Sequence, residues 1–186
     1  PIEEYCTSLG VPFHLEDTNI GRIVYEERKE ANPCSLCANM RRGAINNLAK
    51  QMGCNKVALG HHLDDALETF LMSLVFEGRM HTFMPRTYLS RADITVIRPM
   101  IYVHEPDIIA CANKLELPVV ANNCPADGIT KRQTMKEEMA RFEAMNSTVR
   151  ERMLNAITTT LWTPLMLPED EQKMQPIKRM MKEETL

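Results

Sequence analysis

The sequence contains no apolar run of about 18 residues or more, the length at which a segment reads as a membrane span, so no membrane partner is expected. It also lacks the charged-then-apolar leader that directs export. Aromatic residues make up only 5% of it, and no two of its 7 glycines are adjacent. The glycine shortage carries the sharper consequence. A glycine-rich turn that wraps phosphate in backbone N–H groups is not found within these residues. Charge of one sign is missing too: 22 Lys and Arg stand against 25 Asp and Glu, for a net of −3. That excludes a broadly basic protein while leaving room for a local basic stripe able to hold nucleic acid.

What is present points to one sizeable core with an appended helical piece: 186 residues, 44% of them hydrophobic. Fourteen methionines make that core rich in flexible thioethers. Six cysteines (Cys6, Cys34, Cys37, Cys54, Cys111, Cys124) without an export signal point to a reducing, cytoplasmic setting. There, Cys-x-x-Cys is more often a metal or redox element than a structural disulfide.

The pattern along the chain predicts strands alternating with helices. A short helix opens the chain and stops at Gly10, and the apolar stretch VPFHLED (11–17) reads as a strand. Cys37, Met40, Ala44, Leu48 and Met52 recur at helical spacing up to Gly53, a candidate cap. VALG (57–60) reads as a buried strand, followed by a helix from Asp64 to near Gly78 with Leu67, Phe70, Leu71, Leu74 and Val75 on one face. ITVIRP (94–99) is a strand, Pro106 opens a helix, and PVVA (118–121) is a further strand. Beyond 129 the pattern is helical, with Thr148 and Glu151 at capping-box spacing and a loosely packed, proline-containing tail. The expected fold is α/β: a doubly wound, mostly parallel sheet with a C-terminal helical extension, divided into residues 1–128 and 129–186. In such sheets ligands bind beyond the carboxyl ends of the strands.

Two segments carry chemistry. In VALGHHLDDALETF (57–70), His61 and His62 fall on the expected strand-to-helix turn, and Asp64 and Asp65 on the first turn of the helix. One aspartate there is accounted for as a helix cap. Two histidines, two aspartates and Glu68 together are better explained by a site whose paired carboxylates hold a phosphate-bridging Mg²⁺. In CSLCANMRR (34–42), the cysteines suit a disulfide switch, part of a zinc site or an iron–sulfur grip, and their spacing alone does not choose. Arg41 and Arg42 suit either phosphate contact or a solvated face. Cys6, Cys54 and Cys111 read as buried, inert thiols.

The run from CSLCANMRRGAINNLA through GHHLDDALET and IRPM to NNCPADGITKRQ resembles the PP-loop (N-type ATP pyrophosphatase) superfamily, and within it the tRNA 2-thiocytidine synthetases. The resemblance covers nearly the whole chain to about residue 157. It implies an adenine nucleotide alpha hydrolase-like (HUP-type) sheet that binds ATP and Mg²⁺. It also implies adenylation of an anticodon-loop cytidine in tRNA, followed by displacement of AMP by sulfur. Cys34, Cys37 and Cys124 match the family's three ligands to a [4Fe–4S] cluster whose fourth iron is left open for sulfur, with zinc as the competing metal. His61, His62, Asp64, Asp65 and Arg98 match the ATP and Mg²⁺ site, with Asp64 and Asp65 as its catalytic carboxylates. Arg41, Arg42, Lys131 and Arg132 are the candidate RNA contacts. A sulfur donor supplied by a cysteine desulfurase, and a homodimer, follow at the level of the family.

One departure stands out. The superfamily's Ser-Gly-Gly-x-Asp-Ser loop, which cradles the pyrophosphate of ATP, has no counterpart here. The chain opens at Pro1, and a fragment of a longer protein is the expected reading, with this stretch alone not turning over ATP. The alternatives are another tRNA-modifying member of the superfamily, of the thiouridine or lysidine type, or a non-catalytic metal- or RNA-binding remnant.

Overall fold

A computed structural model describes residues 1–29, 32–121, 124–126, 128 and 130–163. The expected tail beyond 163 lies outside the described residues. The chain divides into two compact units: Pro1–Leu59 with Arg86–Ile97 and Glu105–Gly128, and Gly60–Pro85 with Arg98–His104 and Ile129–Leu186.

The first unit holds the sheet. Helix α1 (Ile2–Ser8) ends before Gly10, which sits at φ +67° as the turn requires. Helix α2 (Ile20–Arg22) runs directly into a π-helical turn, Ile23–Arg28. Helix α3 (Pro33–Gln51) starts on a proline in its first turn and ends in a Schellman motif. There the Gly53 N–H bonds to the Lys50 carbonyl and the Cys54 N–H to the Ala49 carbonyl, with Gly53 at φ +70°. Strand β1 (Lys56–Ala58) lies parallel to β3 (Ile94–Ile97), with Val57 opposite Val96. Strand β2 (Arg86–Leu89) is antiparallel to β3, so the order is β1-β3-β2. Asp93, in the left-handed region at φ 53°, turns the β2–β3 hairpin, and its carboxylate accepts from the Tyr88 hydroxyl at 2.8 Å. Ala49 of α3 joins Ile94 and Val96 in a small core that Val57, Leu59 and Leu89 extend. Helix α5 (Glu105–Lys114) completes the described part of the unit.

The second unit is helical. Helix α4 (Leu63–Glu77) ends at Gly78, φ +63°. Helices α6 (Lys131–Met145) and α7 (Val149–Ile157), with a closing π-helical turn Thr158–Trp162, pack around it. Leu63, Ala66, Leu67 and Leu71 of α4 bury against Met135, Met139, Ile157, Trp162 and Ile101. Each large side chain so buried contributes about 1.5–3 kcal/mol relative to exposure.

The α/β class and the positions of α1, α3, α4 and α5 agree with the sequence, while the helical turns over Ile20–Arg28 were not anticipated and several details differ. VPFHLED and PVVA are not strands: both segments lack ladder partners among the described residues, and Leu15, Val119 and Val120 are exposed. Their β-branched and aromatic content satisfies strand propensity, but propensity without a neighbouring strand gives no hydrogen-bonded ladder. Cys124 therefore does not follow a strand. Of the expected parallel sheet, the described residues show one parallel pair, and β2 was not anticipated. Leu74 and Val75 lie on the exposed side of α4 rather than in the core. The expected capping box at Thr148 is not formed. Its N–H and hydroxyl instead donate to the Asn146 side-chain oxygen, at 3.0 and 2.9 Å.

Candidate functional site

Two groups of chemically capable side chains stand out, one in each unit. In the second unit, His62 caps α4, and its backbone N–H donates to the Asp65 carboxylate at 3.1 Å. This is the N-cap-to-N3 half of a capping box, so the cap expected of one aspartate belongs to Asp65. The other Asp65 oxygen accepts from Arg132 at 3.1 Å, and the same guanidinium reaches Glu68 at 2.9 Å and the Thr69 hydroxyl at 3.1 Å. Arg132 thus bridges three residues along α4. Asp64, only 3% exposed, pairs with Arg150 of α7, whose guanidinium also grips Glu143 of α6 through two nitrogens. Its second oxygen faces His62 Nδ1 at 3.7 Å. Burial also lowers the basicity of Arg150, an effect partly opposed by Glu151.

The acid–base character of this group follows from burial. Desolvation pushes Glu68 above the usual carboxylate range, against the pull of Arg132. Desolvation also pushes His61 below its ordinary value; Asp65 opposes the shift, while Arg98 and Arg132 add to it. His61 stacks on Phe83 with ring centroids 4.8 Å apart. Arg98 covers the same ring at 4.7 Å and donates to the Met84 carbonyl at 2.6 Å. Phe83 therefore joins His61 and Arg98, two candidates distant in sequence. Lys131 lies over Phe76 at 4.5 Å. Of the expected RNA contacts, Lys131 and Arg132 are both engaged within the unit.

The first unit presents thiols. Cys34 and Cys37 lie on the first turns of α3, Cys34 exposed and Cys37 half-buried, and Cys124 is exposed. The Tyr25 hydroxyl meets the Cys124 sulfur at 3.3 Å, across 99 residues of sequence. The hydrogen bond with Cys124 raises the Tyr25 phenol most, followed by loss of solvation and the charges of Cys124, Cys34 and Cys37, to about 12. All three cysteines thus lie within electrostatic reach of one phenol. Three thiols are the donor type an iron–sulfur cluster takes. Among the described residues, no three His, Cys, Asp or Glu side chains converge on a single ion. Cluster thiolates each take a different iron and do not need to converge so tightly.

The remaining cysteines depart from the expectation of burial. Cys6 is half-buried, while Cys54 and Cys111 are exposed. Arg41 and Arg42 are both exposed, Arg42 donating to Asn39 at 3.3 Å. Arg41 and Cys37 line one wall of a cavity of about 340 Å³, together with Ala44 and Leu48 of α3 and Glu16 and Thr18 opposite. Tyr25, Phe83, Glu143 and Arg150 were not anticipated. Tyr25, Phe83 and Arg150 make contacts between residues far apart in the chain, and Glu143 enters through Arg150, seven residues on.

The chain matches the PP-loop domain over residues 1–143. It is 40% identical over 160 residues to the tRNA-cytidine(32) 2-sulfurtransferase of Pelobacter propionicus, which covers 84% of the chain and 60% of the relative. It is 39% identical to the enzyme of that name from Geobacter sulfurreducens, over 84% of the chain and 62% of the relative. The chain therefore spans about 60% of the length of these curated relatives. Its fold is similar to that of a solved U34-tRNA thiolase from Methanococcus maripaludis with its [4Fe–4S] cluster. That likeness has a TM-score of 0.64 and 20% identity over 82% of this chain and 52% of the other. Matched over most of its length and in its fold, the chain belongs to the PP-loop domain family.

Proposed function

We propose that the full-length gene product is an ATP-dependent tRNA 2-thiolase acting on an anticodon-loop cytidine, and that Cys34, Cys37 and Cys124 hold a [4Fe–4S] cluster. The observation that carries this reading is the 3.3 Å contact of Tyr25 with Cys124, on a phenol that also feels the charges of Cys34 and Cys37. Similarity to tRNA-cytidine(32) 2-sulfurtransferases and to a cluster-bearing tRNA thiolase supports it. When bound by three cysteines, the cluster supplies one open iron at which sulfur is carried. Exposure of Cys34 and Cys124 keeps that place open to an incoming donor, for which a cysteine desulfurase is the expected source. Arg41, beside Cys37 on the cavity wall, offers a cation to a phosphate of ATP or RNA, and Arg42 lies next to it on the exposed side. Residues 1–128 are taken as the partial nucleotide-binding domain and 129–186 as its helical extension. Membership of the reducing cytoplasm and a homodimeric state belong to the same reading.

For ATP, the reading assigns His61, His62, Asp64, Asp65 and Arg98. The side chains as placed are engaged with one another: both aspartates already have arginine partners, and Asp65 caps α4. They do not fit a Mg²⁺ site in this arrangement, because a cation would have to replace Arg132 or Arg150. What the carboxylates do as placed is hold the start of α4, and with it His61 and His62, in one geometry.

The test is sulfur transfer. Anaerobically purified gene product, given ATP, Mg²⁺, tRNA and sulfide, is expected to release AMP and produce 2-thiocytidine detectable by mass spectrometry of digested tRNA. AMP release without thiolated nucleoside, or thiolation independent of ATP, contradicts the proposal.

A further inference from the structure

Tyr25 occupies an unusual position. It lies in the π-helical turn Ile23–Arg28, a rare form that is frequent at functional sites. Val24 beside it is fully buried, which anchors the turn, and Lys29 closes it in the left-handed region at φ 46°. A buried neighbour fixes the backbone while the phenol is directed outward to the Cys124 sulfur at 3.3 Å. Cys124 itself lies outside any helix or strand, so regular secondary structure does not fix its position. The two other thiols lie on one helix, where spacing alone keeps them together.

We infer that Tyr25 is a positioning residue for the third cysteine, donating its hydroxyl hydrogen to the Cys124 sulfur and so holding that thiolate at the metal centre. The inference rests on the cluster reading above. A coordinating thiol is deprotonated and carries no hydrogen to give, so the phenol becomes the donor in the pair. Two consequences follow. Loss of the hydroxyl removes this contact to Cys124 and loosens the group it ligates, as loss of outer hydrogen-bond partners generally does. It also removes a hydrogen bond that stabilises negative charge on the sulfur. Reduction adds negative charge, so the reduction potential falls without that bond.

The experiment compares wild-type gene product with Tyr25→Phe, which removes one oxygen and keeps the ring. Both are reconstituted anaerobically with iron and sulfide. Iron and sulfide per chain, the rate of iron loss to a chelator, and the midpoint potential of the retained cluster are measured. Circular dichroism checks that the variant is folded. The expected result is iron loss faster by about 10-fold in Tyr25→Phe, with the midpoint potential shifted to a more negative value. A purely structural role for the ring leaves the potential of the retained cluster where it was. Equal loss rates and equal potentials overturn the inference while leaving the cluster reading intact. Failure of the wild type itself to hold iron and sulfide overturns both, so the two failures are told apart by the wild type alone.

Discussion

The two side-chain groups are built on opposite plans. Around the start of α4, every acidic group named is answered within its own unit: Asp64 by Arg150, and Asp65 and Glu68 by Arg132. The three thiols of the other unit are exposed or half-exposed, and Cys124 meets the Tyr25 hydroxyl at 3.3 Å. The difference separates charge used to join helices from chemistry held ready for a ligand. A buried, mutually satisfied ion cluster is costly to break because one partner is left charged and desolvated. Exposed thiols cost the fold little, and their worth appears only when something binds them.

Breaking the first group should therefore register as lost stability. Arg150→Ala leaves Asp64 buried without its arginine and should cost about 3 kcal/mol in denaturant unfolding. A loss below about 1 kcal/mol would place Asp64 in contact with water and blur the contrast. Arg132→Ala should cost less, about 2 kcal/mol, because its guanidinium is 41% exposed and better screened. Asp65→Ala removes the N3 side of the cap as well as that pair, so it should cost about 1–2 kcal/mol. The two changes share one contact. Combined in a double-mutant cycle, they should fall short of additivity by about 1 kcal/mol, whereas full additivity would mean that the Arg132–Asp65 bridge contributes nothing. Smallest of all, Cys124→Ser should change the stability of the metal-free chain by less than about 0.5 kcal/mol. A larger effect would make that thiol part of the fold rather than a ligand in waiting.

How far the sequence revealed this arrangement depended on the range of the signal. Helices α3 and α4 were legible because their apolar spacing and their closing glycines, Gly53 and Gly78, are local features. That one aspartate could cap α4 was legible for the same reason, though not that it is Asp65. The segments 11–17 and 118–121 were misread because apolar, β-branched content marks a strand only where another strand lies alongside. Strand β2, with its sequence RTYL, earns its place from pairing with β3 and from the Asp93 turn. The Cys-x-x-Cys pair was visible as spacing, and Cys124 entered through family resemblance. Tyr25 and Arg150 were out of reach, because each acts through a contact that folding makes between distant parts of the chain, and Glu143 matters only through Arg150.

The contrast between a closed ionic clasp and an open thiol site rests on what the cysteines bind. Metal and sulfide analysis of the gene product purified without oxygen, with Cys124→Ser in parallel, tests it most directly. The account predicts iron and acid-labile sulfide in near-equal amounts on the wild type, a cluster absorption spectrum, and loss of both in Cys124→Ser. Stoichiometric zinc without iron on the wild type, or a cluster undiminished in Cys124→Ser, would contradict it.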